Sequence, residues 1–156
     1  MKRHIAFASL FLVAACRTPA PPAPPPPDDH FSLAERLAKE AASRPAGTPR
    51  AEDVAAALGR AGVGLRSFQQ VLARTVSARF CMAGHTDAGL AVSVCEFADD
   101  AAAARGADYS RRTFDRLIPN RRLQRNGPTL LTLTGAATTP AAGGEAARAA
   151  AAFASL

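Results

Sequence analysis

Two cysteines, fourteen positions apart, are the residues of this chain best placed to do chemistry. Cys81 and Cys95 lie in two β-rich runs, 76–83 and 90–97, joined by 84–89 (GHTDAG) with a glycine at each end. Pairing Met82 with Val94 sets a register for this hairpin. Phe80 then opposes Glu96 and Gly84 opposes Val92, so that Phe80, Met82, Val92 and Val94 share the face that should meet the core. The same register puts Cys81 directly opposite Cys95 on the other face, although only apolar positions were aligned. The favoured product is a structural disulfide, which adds about 3 kcal/mol in the chain-entropy model. Redox cycling is disfavoured, because there is no Cys-x-x-Cys and no feature that would lower a thiol pKa.

The competing use of this region is metal capture. Cys81, Met82 and His85 lie close together and Cys95 returns to them; soft sulfur with imidazole suits copper. Against it, Met82 falls on the core face and His85 reads as a turn residue, so no metal site is expected.

Arginine is the second candidate. Arg105, Arg111, Arg112, Arg116, Arg121, Arg122 and Arg125 fall within one helix and the strand after it. Arg111, Arg112, Arg121 and Arg122 could together grip a phosphate or carboxylate. The simpler reading, which we favour, is a solvated helix laced by Asp108–Arg112 and Arg111–Asp115 pairs at i,i+4 spacing. Tyr109 and Phe114, at helical spacing among them, read as core. Glu96 is third: a carboxylate on the core face could act as an acid. A position at the sheet margin, solvated or paired with an arginine, is simpler, and no second carboxylate completes an acid/base pair. There is no Gly-x-Ser-x-Gly, His-Glu-x-x-His or P-loop, and His30 and His85 are the only histidines beyond residue 15. No catalytic residue and no cofactor is assigned, and the balance leans against an enzyme.

The elements that must position these residues follow from pattern. Ser32 to Glu35 is a capping box, opening a helix from 33 to about 43 with Leu33, Leu37 and Ala41 at helical spacing. Thr48 and Pro49 are expected to cap a second helix with Val54, Leu58 and Ala61 as its stripe, stopped by Gly62 or Gly64. Residues 67–76 read as a strand. Asp99 or Asp100 caps a third helix, about 100–117, burying Ala103, Ala107, Ser110, Phe114 and Leu117. Residues 121–125 and 129–134 form a second hairpin about Asn126-Gly127. Residues 135–142 read as a loop, and an Ala-rich helix follows from Gly144, anchored by Phe153 and Leu156. The order predicts an α+β fold, with antiparallel hairpins packed against helices in two layers and one disulfide.

Ahead of this domain stands an address. Lys2 and Arg3 precede an apolar run, 5–13, which is too short to span a bilayer. Ala14 and Ala15 are small, and Cys16 follows at once. Val13-Ala14-Ala15-Cys16 resembles the lipobox of bacterial lipoproteins, with Val where the consensus prefers Leu. A plain signal peptide would share every feature except that cysteine. The resemblance covers residues 1–16 only. It implies cleavage before Cys16, diacylation of its thiol, and attachment strengthened by about 0.8 kcal/mol for each buried methylene. By the same resemblance to lipoproteins of diderm bacteria, Arg17 rather than Asp after the cysteine implies sorting to the outer membrane, facing the periplasm.

Residues 1–15 are thus read as a signal peptide, 16–29 as the lipidated cysteine with a Pro-rich spacer, and 30–156 as a single domain. The run TPAPPAPPPPDD favours polyproline II and should hold the domain roughly 30 Å from the lipid; a Pro-rich docking ligand is the lesser reading. Net charge is +6, falling to +4 without Lys2 and Arg3. In an envelope the acidic partners are headgroups, lipopolysaccharide or acidic polymers rather than nucleic acid. Arg and Ala abound while Lys is nearly absent, a bias that a G- and C-rich genome would produce unaided. The expectation is a lipid-anchored envelope protein presenting a non-enzymatic binding or assembly domain, with a protein or anionic envelope component as partner. The alternative is a small enzyme or metal-handling protein using Cys81, His85 and Cys95.

Overall fold

The computed structural model describes residues 31–118, 120–135 and 137–156. Alternating apolar residues drive five strands into one open antiparallel sheet. The strands are β1 (Arg66–Val71), β2 (Phe80–His85), β3 (Ala91–Glu96), β4 (Arg122–Asn126) and β5 (Thr129–Thr134), in spatial order β1-β2-β3-β5-β4. The helices are α1 (Leu33–Ala42), α2 (Ala51–Arg60), α3 (Asp100–Phe114) and α4 (Pro140–Ala154). The α+β class and the hairpins packed against helices are as expected. Two layers are expected, but helices cover both faces of the sheet and make three. Val92, Val94, Leu131 and Leu133 meet Val54, Leu58, Ala146 and Phe153 of α2 and α4 on one face. Cys81, Cys95 and Leu130 meet Ala103 and Ala107 of α3, together with Phe97, on the other.

The β2–β3 register is the expected one, with Met82 opposite Val94, Gly84 opposite Val92 and Cys81 opposite Cys95. The boundaries differ, and for a physical reason. The strand was expected over 76–83, yet β2 runs to His85 and includes Gly84. A Cβ on Gly84 would lie 2.7 Å from the Arg66 carbonyl oxygen and 3.1 Å from the Phe68 Cα. The register of β1 shifts between Arg66 and Gln69, and the bulged strand crosses where only glycine leaves room. This glycine serves strand packing, and the turn begins at Thr86.

Residues 67–76 are a strand only in part. After β1 the chain makes a 3-10 turn, Ala73–Val76. The Glu40 carboxylate of α1 accepts from the Ala73 and Arg74 N–H groups and fixes that turn. The second helix starts at Ala51, with Arg50 rather than Thr48 at its cap. Asp53 accepts the Arg50 N–H at 3.1 Å and Glu96 accepts the Ala51 N–H at 2.7 Å, so its first donors are satisfied there. Gly62, in the left-handed region, ends it. Asp99 caps α3, accepting from the Ala102 N–H. That helix ends at Phe114, which leaves Leu117 exposed instead of buried. The second hairpin turns on Gly127-Pro128, because Asn126 still pairs with Thr129. The last helix begins at Pro140, capped by Thr139; Phe153 is buried and Leu156 is not.

Candidate functional site

The first candidate is a groove between α1 and the sheet. The helix is amphipathic, yet none of its residues is buried. Leu33 and Leu37 form one wall, and Gln69 to Leu72, Thr75 and Val76 the other. Cys81, Cys95 and Ser93 make the floor of a space of about 520 Å³, within the roughly 300–1,000 Å³ of small-molecule sites. None of the lining side chains is ionisable. Two bonds hold the wall at a fixed distance. Gln70 donates from Nε2 to the Leu37 carbonyl at 2.8 Å, and Glu40 grips the 3-10 turn. Glu40 follows Leu37 by three residues, so its tether lies on the leucine side of the helix; Leu33 is exposed and Leu37 half-buried.

The floor is the disulfide. Cys81 and Cys95 are bonded, with their Cα atoms 4.1 Å apart. Both sulfurs are thereby consumed, and neither is a thiolate for nucleophilic attack or metal ligation. Ser93 Oγ stands 3.8 Å from Cys95 Sγ. Met82 points to the opposite face, and His85 is exposed at the end of β2. Among the described residues no three His, Cys, Asp or Glu side chains gather as a metal site.

Behind α1 lies an ion cluster that the sequence reading did not contain. Arg44, in the segment leaving α1, donates from Nε to Glu96 Oε2 at 2.8 Å and from Nη2 to Oε1 at 2.6 Å. It also forks onto Glu52, and its guanidinium lies over the Phe80 ring at 4.0 Å. The Glu96 side chain is 3 % exposed and that of Arg44 17 %. Hydrogen bonds donated to Glu96, then to Glu52, raise the Arg44 pKa, and the same bonds hold the Glu52 carboxyl below its ordinary value. Glu96 also accepts the first N–H of α2, where a helix N-terminus favours an anion. Both Glu96 oxygens are therefore committed to holding α1 and α2 on the sheet end. Glu96 was expected at the margin with an arginine or solvent; it is buried and the arginine is there.

The arginines are regrouped. Arg121 turns inward, its side chain 5 % exposed, donating to the Ser110 carbonyl at 3.2 Å, to Ser110 Oγ at 2.5 Å and to Asp115 at 3.2 Å. Burial lowers its pKa. Arg111 pairs with Asp108 at i,i+3, so the expected Asp108–Arg112 and Arg111–Asp115 pairs give way to Arg111–Asp108 and Arg121–Asp115. The return of the chain from α3 into β4 brings Arg121 to Asp115. Arg122 shares its side of β4 with Gln124, which bonds the Ala150 carbonyl of α4, so it faces away from α3. Arg112 instead joins Arg105 and Tyr109 around a cleft of about 440 Å³. The four arginines first grouped do not form one site.

Lipidation at Cys16, the signal peptide and the spacer lie outside the described residues. No described helix is long and apolar enough to cross a membrane. No family model, curated protein or solved structure matches the chain.

Proposed function

We propose that the chain is a lipid-anchored envelope protein whose domain is a non-catalytic binding module, taking an uncharged apolar ligand in the groove under α1. The observation that carries the binding reading is the composition of that groove. Leucines and valines, with the uncharged Gln69, Gln70, Thr75 and Ser93 among them, surround a disulfide floor, and no acid, base or cation lines the groove. Anchoring is supported by the lipobox residues, and the disulfide suits an oxidising compartment. The enzyme or metal reading loses its thiolates to that bond.

Two measurements test this. The mass of the protein recovered from membranes should show a chain beginning at Cys16 with acyl groups attached; an unmodified Cys16 refutes the anchor. For the groove, the full chain carrying Cys16→Ser is titrated with N-phenyl-1-naphthylamine, an uncharged apolar fluorophore. In that background Leu37→Glu should weaken binding at least tenfold. Affinity unchanged by the introduced charge refutes the site.

A further inference from the structure

The net charge of the domain is confined to one segment. Residues 105–125 hold seven arginines and two aspartates, while 31–104 and 126–156 together hold nine basic and nine acidic side chains. Helical spacing then sorts that surplus. Arg105, Tyr109, Arg112 and Arg116 recur at intervals of four, three and four, which places them along one side of α3 and the turn beyond it. All four are exposed, and among the described residues Arg105, Arg112 and Arg116 make no ion pair. Arg105 and Arg112, roughly 10 Å apart along the helix at about 1.5 Å per residue, flank the cleft beside Tyr109 and Ser77; Asp108 also lines it, its charge met by Arg111. The stripe ends on two bare aliphatic side chains, Leu117 at 75 % and Ile118 at 39 % exposure. Arg121 holds this tip in shape by tying β4's approach to Ser110 and Asp115.

We propose that this face docks on an anionic lipid surface, the arginines meeting headgroup phosphates while Leu117 and Ile118 enter the apolar layer. Charge complementarity selects an anion. The exposed leucine and isoleucine select a membrane over a soluble polyanion, which offers them no apolar phase. Tyr109, with an apolar ring and a polar tip, suits the boundary, and arginine stems can lie along the surface with their heads among phosphates. The inference is independent of the groove and of acylation at Cys16, since either could fail while this face still binds.

The test places an environment-sensitive fluorophore on Leu117→Cys in the full-length chain carrying Cys16→Ser, with Ala147→Cys on the exposed side of α4 in the same background as the control. Vesicles contain nitroxide-labelled lipid and either pure phosphatidylcholine or phosphatidylcholine with phosphatidylglycerol. At Leu117→Cys, quenching in anionic vesicles should be at least twofold greater than at Ala147→Cys. It should fall to the control value in Arg105→Ala/Arg112→Ala/Arg116→Ala, all three exposed positions. Equal quenching at both labels, or the same quenching without phosphatidylglycerol, overturns the proposal. So does a blue shift of the Leu117→Cys label with a soluble acidic polymer but not with vesicles, which would assign the face to that polymer. If the anchor reading fails instead, acyl mass is absent while the quenching pattern remains.

Discussion

Removing Arg44 while leaving Glu96 should be far more damaging than neutralising both. Arg44→Met keeps much of the apolar stem over Phe80 but strips the carboxylate of its cation. Glu96 would then sit 3 % exposed with the Ala51 N–H, at 2.7 Å, as its remaining donor among those seen. Breaking a buried pair in this way costs about 3–5 kcal/mol. Loss of the contact with Glu52 adds little, because that side chain is 56 % exposed and such pairs are worth about 0–1 kcal/mol. Against a typical domain stability of about 5–15 kcal/mol, Arg44→Met should unfold at much lower urea.

Adding Glu96→Gln to Arg44→Met removes the stranded charge while a carbonyl oxygen still accepts from Ala51. The double variant should therefore recover to within about 2 kcal/mol of the parent, at least about 1 kcal/mol more stable than Arg44→Met alone. Urea unfolding followed by far-UV circular dichroism reads all four corners of the cycle. A loss below about 1 kcal/mol for Arg44→Met, or a double variant weaker than Arg44→Met alone, refutes the account of the clamp.

Two further outcomes follow from packing. Gly106→Ala should destabilise despite alanine's helix preference of about 1 kcal/mol: its Cβ would meet the ring of buried Phe97 at 2.2 Å, and overpacking of that kind costs about 1–3 kcal/mol; a raised thermal midpoint would count against the structure of that contact. Cys81→Ala/Cys95→Ala should lower stability by up to about 3 kcal/mol, the chain-entropy value for a loop of this size, less whatever the hairpin retains when unfolded; no change on reduction of the parent, read by the same urea titration, would show that the bond does not constrain the unfolded chain.

The hairpin of β2 and β3 was legible because strand alternation is local and a one-residue slip would turn every apolar side chain outward. The pairing of Cys81 with Cys95 followed from it. The cap of α1 was legible too, since Ser32 and Glu35 bond across three residues. What failed had distant causes. Arg44 acts through Glu96, fifty-two residues away, and nothing in its neighbours marks it. The one available signal was that a carboxylate on a core-facing strand position requires a cation. Gly84 carried a turn signature, but a neighbouring strand's bulge sets its use. Leu33 and Leu37 showed core spacing, yet α1 is held by Glu40 and Gln70 at a distance that leaves a groove. A hydrophobic period states that a helix has an apolar face; it does not state that the face is filled.

Arginine content shows the same limit from the other side. A nucleotide bias enriches arginine everywhere, so the count carried little meaning. Its placement does. Outside residues 105–125 the domain's basic and acidic side chains balance, and several are paired, as in the buried Arg44–Glu96 contact and the exposed Arg66–Asp87 pair. Within that segment, Arg121 is drawn inside and Arg111 is paired, while Arg105, Arg112 and Arg116 stand along one helix side, and exposed Leu117 follows Arg116 in the chain. Bias alone has no reason to confine the surplus to one segment. Self-repulsion among like charges disfavours such a cluster, and an anionic surface would relieve it, which is the outcome the vesicle experiment reads.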